Sequence, residues 1–386
     1  MGLTLRAAFV WEIDSVDYKN MLHGHSHIAM LGWVFMALYA LMVAVFVPKL
    51  KQNSAYYRWL FIITQFSVIG MMVAFPIQGY AAVSITFSTL NLLLSYFFAV
   101  RIWKDSNTDK TPATYMVRAA LLGMFISTIG LWGMAMVMAF KLGNTEWYNL
   151  VIQFYLHFQF NVWFILAAIA TLLQYFIKKK NAIIFPKVIQ RFTLLYFTSV
   201  AFTFFHVVHW AYGKNYMYAL NSIGVLLQFA AIVYLIWYLF KNNIIKRKFC
   251  KREWTVLLHI ALFSWVLKGL IQLLLVFPEV NEISTNIRNF MIGYIHLINL
   301  AIVSSLLFYL LKGLIPRFSF GNEMYFFIFG IVATELYFFL QGIFYWQAWG
   351  VLPSYYITIF ILSIPMLIGV FTIWLRMVIN NRALLL

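Results

Sequence analysis

The sequence predicts an all-α fold, a polytopic transmembrane helix bundle of about 11 spans, and three observations carry that prediction. Apolar residues make up 64% of the 386 residues and charged residues only 10%, a balance outside the soluble range. Apolar runs of about twenty residues, the length that crosses a hydrocarbon core, recur along the whole chain. The basic residues behind the net charge of +17 fall in alternate connections and not on one face or tail, so the charge reports membrane topology and excludes a nucleic-acid footprint.

The spans are expected at roughly 27–48, 57–76, 80–102, 114–140, 147–176, 189–212, 216–240, 254–277, 286–311, 323–346 and 353–376. Before them, Leu3 to Trp11 is apolar but too short to cross, and reads as the last turns of a helix. Glu12, Asp14 and Asp17 follow where a cleavable leader would be small and neutral, so no signal peptide is expected. The first span opens on the histidines of LHGHSHIAMLGW, ends at Val47-Pro48 and is followed by Lys49, Lys51 and Arg58. The connection IQG turns the second span directly into the third, and Arg101, Lys104, Lys110 and Arg118 surround the link to the fourth. The fifth carries YLHFQFN and runs into Lys178, Lys179 and Lys180, with Lys187 and Arg191 leading the sixth, which carries FFHVVHW. Lys241, Lys246, Arg247, Lys248, Lys251 and Arg252 follow the seventh. The eighth carries Lys268, and the ninth carries GYIHL and is followed by Lys312 and Arg317. The tenth carries Glu335 and turns through QAWGVL into the eleventh, which closes with Arg376 and Arg382.

On this alternation 22 of the 28 lysines and arginines share one side, against Arg6, Lys19, Lys141, Lys214 and Arg288 on the other. The positive-inside rule makes the rich side cytoplasmic, with the N-terminus outside and the C-terminus inside the cell (inner) membrane. No linker rich in Pro, Gly or Ser divides residues 1–386, so a single integral membrane domain is expected in the lipid bilayer, with no nucleic-acid partner. Cys250, the only cysteine, allows neither a disulfide nor a thiolate site, so any metal is held by nitrogen or oxygen.

Seven of the eight histidines fall at one depth near the outer ends of four spans. His23, His25 and His27 open the first span, His157 and His296 lie about ten residues into the fifth and ninth, and His206 and His209 lie near the outer end of the sixth. Only His259 lies apart. Ionisable groups inside a membrane are expensive and face the bundle interior or a cofactor, and neutral imidazole is the usual nitrogen ligand of Cu, Fe and haem iron. His206 and His209, at i and i+3, present both rings to one neighbour, and His157 is placed to supply a third ligand. Gly32 and Gly293, near the histidines of their helices, are candidates to admit a flat macrocycle close to the backbone. Lys268 and Glu335 are the remaining intramembrane charges, candidates to pair with a haem propionate and to relay a proton.

This order and depth of histidines resembles the catalytic subunit I of the haem–copper oxidase superfamily, and the nitric oxide reductase large subunit more than the cytochrome oxidases. With that family's first helix absent, spans 1, 5, 6 and 9 fall on its four histidine-bearing helices. His27 followed by GWVFMALYALM and closing in Val47-Pro48 is similar to its second helix, and His157 with Trp163 in HFQFNVW to its metal-ligand helix. The chain departs from the pattern in the spacing of His206 and His209, in Asn161, and in Tyr294, which stands where the family has the first histidine of a His-x-His pair. The resemblance implies a haem b on His27 and His296, with His25 as the rival on the first span, and a Cu or non-haem Fe on His157, His206 and His209. It implies an oxidoreductase of the terminal oxidase or nitric oxide reductase type, taking electrons from a quinol or a cytochrome and open to other membrane subunits. Absence of a C-x-x-C-H motif favours a b-type haem. Two other readings share these residues: a non-catalytic haem or metal membrane protein of the nitric-oxide response, and a proton-coupled secondary transporter.

Overall fold

The computed structural model describes residues 1–108, 110–245, 252–315 and 321–382. Among them every regular element is helical, and eleven helices are long and apolar enough to cross a membrane. These are Tyr18–Phe46, Ala55–Gln78, Ala82–Asp105, Pro112–Ala139, Glu146–Lys180, Pro186–Tyr212, Asn215–Lys241, Thr255–Val276, Arg288–Leu314, Glu323–Trp346 and Tyr355–Ile379, hereafter spans 1 to 11. The chain is therefore an all-α polytopic bundle and an integral membrane protein, since only helices satisfy their own backbone polar groups this completely in lipid. Cys250 and the basic residues Lys246, Arg247, Lys248, Lys251 and Arg317 lie outside the described residues.

Span 1 begins earlier than its apolar run. Asp17 caps the helix by accepting the backbone N–H of Asn20 at 2.7 Å. His23, His25 and His27 consequently lie inside the helix and not at its mouth. The N-terminal segment forms a short helix, Gly2–Ala7, and continues in turns to Trp11. It lies on span 11, where Phe9 stacks on Tyr356 with ring centroids 5.2 Å apart and Trp11 meets Phe360 edge-on at 5.1 Å.

Span 5 is the axis of the bundle: 94% of its most apolar stretch is buried, against 22% for span 11, whose aromatic and aliphatic side chains face outward. Spans 1 and 9 pack against it, with Phe35 and Trp163 rings 6.3 Å apart and both buried. Close helix contacts use glycine where lipid offers no hydrophobic drive between helices. A Cβ on Gly130 of span 4 would lie 2.4 Å from the Val151 carbonyl of span 5, and one on Gly330 of span 10 would lie 2.7 Å from the Met366 backbone nitrogen of span 11.

The three central spans share a second trait. Each widens into π-helix just after its histidine: Ile28–Phe35 after His27, Gln159–Phe164 after His157 and Phe158, and Leu297–Ser304 after His296. Such segments concentrate at functional sites, because the extra residue per turn re-aims the side chains on either side. Side chains bridge the loosened turns. Trp33 Nε1 donates to Ser304 Oγ at 2.7 Å, tying span 1 to span 9, and Ser304 Oγ donates to the Asn299 carbonyl at 2.7 Å.

A histidine-lined cavity as the candidate functional site

A cavity of about 1540 Å³ opens among spans 1, 3, 4, 5, 9 and 11, beneath the N-terminal helix. It exceeds the usual small-molecule pocket of roughly 300–1,000 Å³. Its lining is mainly apolar, with His23, His25, His27 and His296 supplied by spans 1 and 9, and Arg6 and Arg288 adding positive charge.

Local packing aims the histidines of span 1 in different directions. Gly24 lets the helix approach span 2 so closely that a Cβ there would lie 3.3 Å from the Pro76 ring. One turn on, His27 stacks on Phe75 of the same span with centroids 4.2 Å apart, and Tyr80 meets both His23 and His27 edge-on. His27 Nδ1 lies 2.9 Å from the His23 carbonyl, which can only accept, so Nδ1 carries the proton and Nε2 keeps its lone pair for a ligand. The same i−4 bond from His259 to the Thr255 carbonyl, at 2.6 Å, shows that this contact is ordinary for a helical histidine. Position in the cavity is what distinguishes His27. His25, two residues earlier and about 200° round the helix, faces the N-terminal helix: a Cβ on Gly2 would lie 3.1 Å from its Cε1.

His296 belongs to a buried polar group. Its Nδ1 lies 3.9 Å from Glu335 Oε1 of span 10, and neither that nitrogen nor either Glu335 oxygen has a hydrogen-bond partner among the described residues. Arg6 lies within electrostatic range of both, and His25 within range of His296. The Arg6 guanidinium sits over the Phe338 ring at 5.1 Å and donates to Ser363 Oγ and to the Ile359 carbonyl. Burial pushes Arg6 down to about 10, so it keeps its charge at neutral pH.

The other expected ligands take separate partners. His157 Nε2 donates to the Val200 carbonyl at 2.8 Å. His206 Nδ1 accepts from Asn281 Nδ2 at 3.0 Å, and His209 Nδ1 donates to the Lys214 carbonyl at 3.1 Å. Among the described residues no three histidine, cysteine or acidic side chains gather around one point. Lys268 is fully buried outside the cavity, where its ammonium donates to Gln228 Oε1 at 3.1 Å and Gln272 Oε1 at 2.6 Å and lies 5.8 Å from the Tyr294 ring. Lys268, expected to pair with a haem propionate, thus does not line the cavity. Tyr294 in turn donates to Asn161 Oδ1 at 3.2 Å.

Gly32 and Gly293 do not open onto the cavity either. A Cβ on Gly32 would lie 2.9 Å from Val68, and one on Gly293 would lie 3.1 Å from Phe339, so both serve helix packing. Arg6, Arg288 and the Phe75–Tyr80 platform went unrecognised in the sequence. The one available signal was Arg6, a lone cation inside the apolar segment Leu3 to Trp11. Compared with known proteins, the chain matches no family model and no curated protein.

Proposed function

We propose that this protein is a haem-binding membrane protein of the haem–copper oxidase type, serving redox or nitric-oxide chemistry. The observation that carries the reading is the cavity, large and apolar, with imidazoles entering it from spans 1 and 9. The residues fit a b-type haem. His296 lines the cavity with its Nδ1 buried near Glu335, and His27 has its Nε2 lone pair available. Arg6 and Arg288 supply the positive charge that propionates require. A haem held by two histidines supplies one-electron transfer. The chain's own contribution is an apolar wall that excludes water, fixed imidazoles, and cations at the cavity edge. Electrons would come from a quinol or a partner cytochrome.

His27 is the proposed ligand opposite His296. His25 is the specific alternative, because it shares the electrostatic group of His296 and Arg6. A Cu or non-haem Fe on His157, His206 and His209 is the less supported half of the proposal, since among the described residues the three rings do not gather around one point.

Purified protein from cells grown with ample haem is expected to show a low-spin b-type optical spectrum. His296→Ala should abolish that spectrum while the helical content stays that of the parent. Between His27→Ala and His25→Ala, the variant that loses the low-spin bands names the second ligand. A parent protein without haem, or a His296→Ala spectrum unchanged from the parent, would overturn the reading.

A further inference from the structure

The pair formed by His296 and Glu335 goes one step beyond the haem reading, on which it rests. The two side chains come from adjacent spans, 3.9 Å apart, and Nδ1 of the ring and both oxygens of the carboxyl group are buried without partners among the described residues. Leaving such atoms unpaired in a low-dielectric interior is costly, so an arrangement of this kind needs a use. A small side-chain rotation or a bridging water closes the gap to a hydrogen bond. Histidines that ligate a metal through one nitrogen characteristically donate the other N–H to a carboxylate or carbonyl, which fixes the tautomer and makes the ligand more electron-rich. His27 has its carbonyl, that of His23, at 2.9 Å. Among the described residues His296 has only Glu335 in that position.

We infer that Glu335 is the positioning residue of His296, taking the proton of Nδ1 in a hydrogen bond so that Nε2 is directed into the cavity, and that Arg6 is its counter-charge. The N-terminal helix thereby acquires a purpose. The packing of Phe9 and Trp11, in the turns that follow it, on span 11 accompanies the placement of the Arg6 guanidinium over Phe338, one turn of span 10 from Glu335. Glu335 and Arg6 act on the iron with opposite signs. An acceptor behind the ring stabilises the ferric state and lowers the reduction potential, and a nearby cation raises it.

The test is a redox titration of the haem b absorbance in the full-length protein. Glu335→Gln is expected to favour the reduced form at least tenfold, a rise of about 59 mV for a one-electron couple. Glu335→Asp should return the potential toward that of the parent, and Arg6→Gln should shift it downward. A merely structural role would not produce shifts of opposite sign. If Glu335→Gln does not fold, Arg6→Gln carries the test. A parental potential in Arg6→Gln, or in Glu335→Gln where it folds, or shifts of the same sign for the two, overturns this inference and leaves the haem reading standing. A parent protein with no haem removes both.

Discussion

Asp105 shows how a single buried charge is tolerated in this chain. It ends span 3, is itself buried, and receives Lys51 Nζ at 2.9 Å, Arg101 Nε at 2.8 Å and the Tyr57 hydroxyl at 2.9 Å. Both cations are partly exposed, with side chains 49% and 34% accessible, so solvent screens their share and the value of the cluster lies mostly in its hydrogen bonds. Asp105→Ala should cost about 2 kcal/mol, because it leaves the buried Tyr57 hydroxyl unpaired, and Tyr57→Phe about 1 kcal/mol. Thermal unfolding in detergent measures both, and equal losses for the two variants would show that the ion pairs add nothing. The histidines illustrate the limit of reading residues one by one. Seven were recognisable as a set from depth alone, yet His25 and His27 differ only in the face of the helix they occupy. That face is decided by Gly24 meeting Pro76.

At the scale of elements, the helices were legible because each must present about twenty apolar residues to lipid, a constraint that leaves a strong mark on the sequence. Their ends and their irregularities were not. A capping aspartate extends span 1 by two turns beyond its apolar run, and the three π-helical segments have no sequence signature of their own. The contact between spans 4 and 5 offers a direct measurement of how closely the elements must pack. Gly130→Ala forces a methyl group toward the Val151 carbonyl and the Tyr155 nitrogen, backbone atoms with little room to yield. A loss of about 1–3 kcal/mol is expected. Gly143→Ala, in the loop between the same spans and with open space around it, should change stability by less than about 0.5 kcal/mol. Unfolding midpoints that agree for the two variants would remove the argument.

For the whole molecule, the described residues hold eleven helices long and apolar enough to cross a membrane, an odd number, and eleven crossings would put the two ends of the chain on opposite faces. We propose that the C-terminal face is cytoplasmic, because the lysines and arginines concentrate in the connections on that side. Cys250, the single cysteine, belongs to the connection between spans 7 and 8. In right-side-out vesicles, a membrane-impermeant maleimide should leave Cys250 unlabelled, whereas Gly143→Cys in a Cys250→Ala background should react. The opposite pattern would invert the topology and put the histidine cavity on the cytoplasmic side.

The sequence by itself determined the class of this protein, the number and order of its spans, and the one end of the bundle where the histidines gather. All of these follow from hydrophobic length and charge placement, which act locally and repeat along the chain. Only the tertiary structure decided which histidines share a space. Helix rotation and close approach, set by contacts such as Gly24 on Pro76 and Trp33 with Ser304, assign His23, His25, His27 and His296 to the cavity and send His157, His206 and His209 to other partners. The same packing brought Arg6 to Glu335 across more than three hundred residues of chain. Periodicity places a residue at a depth, but which neighbour it meets there depends on how separate helices pack, and no local pattern records that.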